Sequence, residues 1–142
     1  MGNIERTLIT VSATIKAPID LVWELWTTPE HIMKWNNASD DWYTPRAEND
    51  LRVGGKFLSR MEARDGSMGF DFYGTYDAVN VNNLIEYTLG DDRKVRITFT
   101  ANGNETNIVE SFEAEEINSI ELQKGGWQSI LDNFKKHVEK AC

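Results

Sequence analysis

Glu110 is the residue of this chain best suited to proton chemistry. It stands between Ile108 and Phe112, and alternate side chains of a strand share a face, so the spacing points its carboxyl inward. A buried, unpaired carboxylate is costly and its pKa rises. That makes Glu110 a candidate acid/base or a hydrogen-bond partner for a ligand. The alternative is a bulge, or a core glutamate satisfied by a neighbour such as Arg96 or Tyr87. A second group suits contact rather than chemistry. Phe57, Met61, Met68, Phe70 and Phe72 form an aromatic and methionine wall on two adjacent predicted strands, with Trp127 facing it from the last helix. Methionine in such a wall favours adaptable contacts, and ordinary core packing is the competing reading. Trp35 and Trp42 flank a polar loop, where an indole with its N–H handle suits ligand stacking at a cavity mouth as well as loop packing.

Other chemistries find little support. Asp40 and Asp41 are adjacent, but with Trp42 after them they lack the alternating oxygen ligands of a calcium loop. With Arg46, Glu48, Asp50 and Arg52 they read as an ion network that orders its own loop. Gly54-Gly55-Lys56-Phe57 is no phosphate loop, because neither the hydroxyl after the lysine nor the upstream glycine is present. His31 falls in a short helix and His137 on the polar side of the last one, so both are expected in solvent. Two histidines and one cysteine, Cys142, give neither a zinc cluster nor a nucleophile constellation. No metal and no cofactor are expected.

The chain has 142 residues and a net charge of −8. That length suits one domain, 1–142, able to bury a core without disulfides or metal. An acidic domain is repelled by phosphate backbones and anionic lipid, so nucleic acid and membrane are poor partners. The opening MGNIERTLIT is too polar for a signal peptide, and no apolar run approaches a membrane span. The expected compartment is the cytoplasm.

The elements that must position these residues follow from periodicity. Ile9, Val11, Ala13 and Ile15 alternate in a first strand. Ala17-Pro18 ends it, and Ile19, Val22, Trp23 and Trp26 mark a short helix with Trp23 and Trp26 as core anchors. Thr28-Pro29-Glu30 starts a second helix running to about Trp35. Residues 36–54 read as a long polar loop with Pro45 inside, with a short strand at 51–53. An antiparallel meander follows, its first hairpin turning at Asp65-Gly66. Its inward sets are Phe57/Ser59/Met61, Met68/Phe70/Phe72/Gly74/Tyr76, Ile85/Tyr87/Leu89, Val95/Ile97/Phe99 and Ile108/Glu110/Phe112. Asn118-Ser119 caps a long helix whose apolar positions are Trp127, Ile130, Leu131, Phe134 and Val138. Gly125-Gly126 inside it reads as a close-approach or kink site. The fold class is α+β. An antiparallel sheet needs one face covered, and only the last helix is large enough, so the sheet must curl around it and leave a concave, apolar cavity.

In that order and spacing, Ala17-Pro18 with Val22-Trp23, Thr28-Pro29-Glu30 with Trp35, Arg52-Val53-Gly54-Gly55-Lys56-Phe57, Asp65-Gly66, Leu84-Ile85-Glu86-Tyr87-Thr88 and Gly126-Trp127 with Leu131-Asp132-Asn133-Phe134 resemble the START-like, helix-grip (SRPBCC) superfamily. The resemblance spans about the whole chain. It points to the bacterial stand-alone branch named for the activator of the heat-shock chaperone ATPase, and Ala38–Trp42 with Pro45–Leu51 is similar to one subgroup of it. The resemblance implies a curved sheet wrapped around a long C-terminal helix, with a cavity between them for hydrophobic small molecules. Some relatives are polyketide cyclases or aromatase-like enzymes, and the eukaryotic namesakes stimulate a chaperone ATPase.

Three functions follow as expectations. The first is binding of a lipid-like or aromatic small molecule, through Trp35, Trp42, Phe57, Met61, Met68, Phe70, Phe72, Tyr87, Glu110 and Trp127. The second is a cyclase- or hydrolase-like enzyme using Glu110. The third is a chaperone co-factor or other interaction module. A homodimer is compatible with the sequence, which gives no interface for one.

Overall fold

The structure is a computed structural model and describes residues 6–141; Cys142 and residues 1–5 lie outside it. The element order is β1 (Leu8–Ile15), α1 (Ile19–Thr27), α2 (Pro29–Trp35), β2 (Trp42–Asn49), β3 (Lys56–Ala63), β4 (Gly69–Asn80), β5 (Leu84–Leu89), β6 (Lys94–Asn102), β7 (Glu105–Glu113) and α3 (Ile120–Ala141). The seven strands form one curled antiparallel sheet in the order β1-β7-β6-β5-β4-β3-β2. Consecutive strands are neighbours from β2 to β7. The first strand closes the other end by pairing Val11 with Glu110.

The register aligns the inward residues in rows across the sheet. One row runs Val11, Glu110, Ile97, Ile85 and Val79. The next runs Phe112, Val95, Tyr87 and Tyr76, and the third runs Leu89, Gly74, Phe57 and Asn49. Gly74 has a reason to lack a side chain. A Cβ there would lie 2.6 Å from the Thr88 carbonyl and 3.0 Å from the Phe57 ring, so the glycine lets Phe57 lie flat along the sheet.

The helices seal the concave side. Phe134, fully buried on α3, meets Trp26 at 4.8 Å and Trp35 at 4.9 Å between ring centroids, both edge-on. The Trp35 indole donates to the Leu25 carbonyl at 2.9 Å. Asn133 of α3 donates to the Trp35 carbonyl at 2.8 Å, tying α2 to the long helix. The Ser119 hydroxyl caps α3 by accepting from the Leu122 N–H. Thr28 precedes α2 without a side-chain cap and donates its hydroxyl to the Glu24 carbonyl, closing the end of α1.

The 36–54 segment departs from expectation. It is a loop only to Asp41, and Trp42–Asn49 forms the edge strand β2, whereas 51–53 forms none. Pro45 lies where the β2–β3 register shifts between Tyr43 and Arg46. A bulge on an edge strand is one of the few strand positions that tolerates proline. Exposed Arg46 and Glu48 then guard the edge. The expected ion network reduces to local pairs, Arg46 with Glu48 and Arg52 with Asp50. Asp40 and Asp41 contribute backbone carbonyls, both accepting from Arg64.

Candidate functional site

Between the concave face of the sheet and the helices lies a cavity of about 370 Å³. Its sheet wall carries Phe57, Ser59, Met61, Phe70, Phe72, Tyr76, Ile85, Tyr87 and Glu110. Trp26, Ile32 and Trp35 close it from α1 and α2, and Leu122, Gln123, Gly126, Trp127 and Ile130 from α3. Trp127 stacks on Phe112 at 3.8 Å with the rings nearly parallel, and meets Phe72 edge-on across the space. The lining is thus a set of aromatic rings with a few polar groups, the usual make-up of a small-molecule site.

Those polar groups differ in how they are satisfied. The Tyr76 hydroxyl donates to Asn49 Oδ1. Gln123 is fully engaged, donating to the Glu115 and Asn118 carbonyls and accepting from the Glu115 N–H. Arg93 is held by Asp91 at 2.7 Å. Ser59, Tyr87 and Glu110, only 5%, 8% and 4% exposed, have no hydrogen-bond or ion-pair partner among the described residues. Among the described residues no buried side-chain polar atom is sealed away without a partner, so these three groups open onto the cavity they line.

Burial alone pushes the Glu110 carboxyl up to about 8. The Tyr87 phenol is held well above its usual range by burial first and then by Glu110 and Tyr76, with Arg93 pulling the other way. Neither of the partners foreseen for Glu110 bonds to it. Arg96 points outward and pairs with Glu86, and Tyr87 makes no hydrogen bond to Glu110 but feels its charge through space.

Of the candidate residues, Trp35, Phe57, Met61, Phe70, Phe72, Tyr87, Glu110 and Trp127 line the cavity. Met68 and Trp42 do not. Met68 precedes β4 in the hairpin and is 66% exposed. Trp42 opens β2 and packs edge-on against Phe70 at 5.9 Å. Trp35 is a buried part of the helix cluster as well as cavity wall, rather than an entrance residue. Trp26, expected as a core anchor, does both jobs too. Ser59, Tyr76 and Ile85 also line it, and all three belong to the inward sets read from period two. Arg93 and Gln123 arrive from a turn and a helix start, for which no periodicity exists. The glycines of α3 are not a close-approach site, because nothing lies within 4 Å of a Cβ at Gly125 or Gly126. Gly126 instead borders the cavity.

The histidines correct another expectation. They are half-buried and meet each other, His31 Nδ1 to His137 Nε2 at 3.0 Å, across α2 and α3. Burial, then the charges of His31 and Lys34, lower the His137 pKa. A lowered histidine pKa means that the unfolded chain takes up the proton first, so this contribution is lost as pH falls below about 6.5. Melting temperatures measured between about pH 7 and pH 5 are expected to fall less in His137→Gln than in the parent. Equal slopes would remove the pair from the acid limb.

A sheet curled around a terminal helix, with an aromatic cavity between them, defines the helix-grip architecture of the START-like superfamily. Residues 16–139 match the family model described as Activator of Hsp90 ATPase homolog 1-like protein, and the chain belongs to that family. Solved relatives agree. The AHSA1-like protein from Aeromonas hydrophila is 41% identical, with 95% of this chain and 94% of that one covered and a TM-score of 0.89. Chr148 from Cytophaga hutchinsonii is 57% identical over 94% and 92%, with a TM-score of 0.81. CV1439 from Chromobacterium violaceum, 22% identical over 93% and 96% with a TM-score of 0.83, shares the fold. No curated protein matches the chain. None of the described helices is long and apolar enough to cross a membrane.

Proposed function

We propose that this protein binds an apolar, aromatic-rich small molecule in the cavity between α3 and the sheet. The carrying observation is the concave space of about 370 Å³ walled by aromatic rings. A thermal-shift screen of aromatic and lipid-like compounds tests it. A ligand at about 100 times its Kd adds about 2.7 kcal/mol, or roughly 5–10 °C of melting temperature for a domain of this size. Gly126→Phe supplies the control. The glycine costs the helix about 1 kcal/mol relative to alanine, and open space lies beside it, so the variant is expected to fold and to lose the ligand shift. The reading fails if no apolar compound raises the melting temperature of the parent.

A second reading rests on Glu110. A carboxyl with its pKa near the working pH is poised for general acid–base catalysis, which fits a cyclase- or hydrolase-like enzyme. Turnover that persists unchanged in Glu110→Gln would count against it. The family description also names a chaperone ATPase activator; stimulation of that ATPase by this chain, unaffected by Gly126→Phe, would separate such an activity from the cavity.

A further inference from the structure

The polar groups left over in the cavity say what kind of ligand it suits, and this step rests on the binding reading above. Glu110 on β7 and Tyr87 on β5 occupy adjacent inward rows of the sheet, with Ile97 and Val95 of β6 between them. The floor separating them is therefore aliphatic, and the two long side chains rise on either side of it. Both open onto the cavity without a partner among the described residues. We propose that Tyr87 and Glu110 form a donor pair that recognises an acceptor oxygen, a ketone or phenol oxygen, on an otherwise aromatic ligand.

Three observations favour an acceptor oxygen over the alternatives. A purely hydrocarbon ligand would leave two buried polar groups unsatisfied, each at a cost. An ammonium ligand has only donors and no acceptor, so neither the phenol O–H nor a protonated carboxyl could donate to it. A neutral acceptor meets neither objection, and a protonated carboxyl and a phenol are both hydrogen donors. The other titratable groups that line the space leave this state in place. Glu48 is paired with Arg46, Glu115 accepts from the Asn118 N–H, and Tyr76 is bound to Asn49. The stretch of α3 that lines the cavity presents no charge, only Leu122, Gln123, Gly126, Trp127 and Ile130.

Three naphthalene probes of similar shape test the pair by isothermal titration: acetylnaphthalene (a ketone), ethylnaphthalene (its hydrocarbon counterpart) and naphthylethylamine (a cation). The ketone is expected to bind about tenfold tighter than the hydrocarbon at about pH 6, as two modest hydrogen bonds allow. Its preference should shrink by about pH 9, where Glu110 has lost its proton and only Tyr87 still donates, while hydrocarbon binding stays constant. Glu110→Gln retains a donor, so its preference should persist and become flat with pH. Tyr87→Phe should lose most of the preference while still binding the hydrocarbon. The infrared carbonyl stretch of the bound ketone should shift to lower frequency in the parent, less in Tyr87→Phe. Equal binding of ketone and hydrocarbon at both pH values overturns the donor pair and leaves the cavity reading intact. An amine that binds tighter than the ketone also overturns it. If none of the probes binds, the cavity reading falls with it.

Discussion

Glu110→Gln is expected to be more stable than the parent in alkaline solution and equal to it in acid. The carboxyl has an ordinary value of 4.5 when exposed and about 8 in the fold. The folded state therefore holds the proton more tightly than the unfolded one. Below about pH 4.5 both states are protonated and the residue costs nothing. Between the two values the unfolded chain ionises first, so stability falls as pH rises. Above about 8 the penalty is complete. The gap corresponds to about 5 kcal/mol at ~1.36 kcal/mol per pH unit, an upper figure because the cavity gives the charge somewhere to be hydrated. A gain of about 2–5 kcal/mol in Glu110→Gln at about pH 9, vanishing at about pH 4, is the expected outcome of denaturant titrations across this range. Parallel stability curves for the two proteins would show that the carboxyl ionises freely in the fold. A protein that tolerates such a penalty is trading stability for a buried polar group, as functional sites commonly do.

Phe134→Ala should have an effect of the same size with no pH dependence. The ring is fully buried and is the point where α3 meets Trp26 of α1 and Trp35 of α2. Truncating a buried phenylalanine typically costs about 3–5 kcal/mol, transfer and void together, against a total of roughly 5–15 kcal/mol for a domain. Because Trp26 and Trp35 also form cavity wall, the void should join the ligand space and loosen the rings. Chemical denaturation should therefore show the lost stability, and near-ultraviolet circular dichroism should show weaker tryptophan bands. A loss under about 1 kcal/mol would mean that the helices are held to the sheet by other contacts.

The strands that were legible in the sequence are those with a clean alternation. Ile9, Val11, Ala13 and Ile15 in β1, and Ile108, Glu110 and Phe112 in β7, can be read because the pleat turns every second side chain to one face. β2 escaped because Pro45 interrupts it and its outward residues are charged, features that mark a loop and an edge strand alike. The cavity wall shows the same division. Phe57, Phe70, Phe72 and Tyr87 follow from period two on their own strands. Trp42 and Met68 looked equivalent to them by type, yet Trp42, paired with Ala63 on the Met61 face, packs against Phe70 outside the lining, and Met68 lies in the turn before β4.

By itself the sequence determined the α+β class, the meander, the amphipathic last helix and the inward direction of Glu110, because each depends on local period and turn chemistry. Only the tertiary structure decided that Glu110 has no partner among the described residues, that Trp26 and Trp35 are both core and cavity wall, and that His31 meets His137. Those outcomes depend on how far the sheet curls and where α3 crosses it. Both are set by packing between residues distant in the chain, which no local pattern encodes.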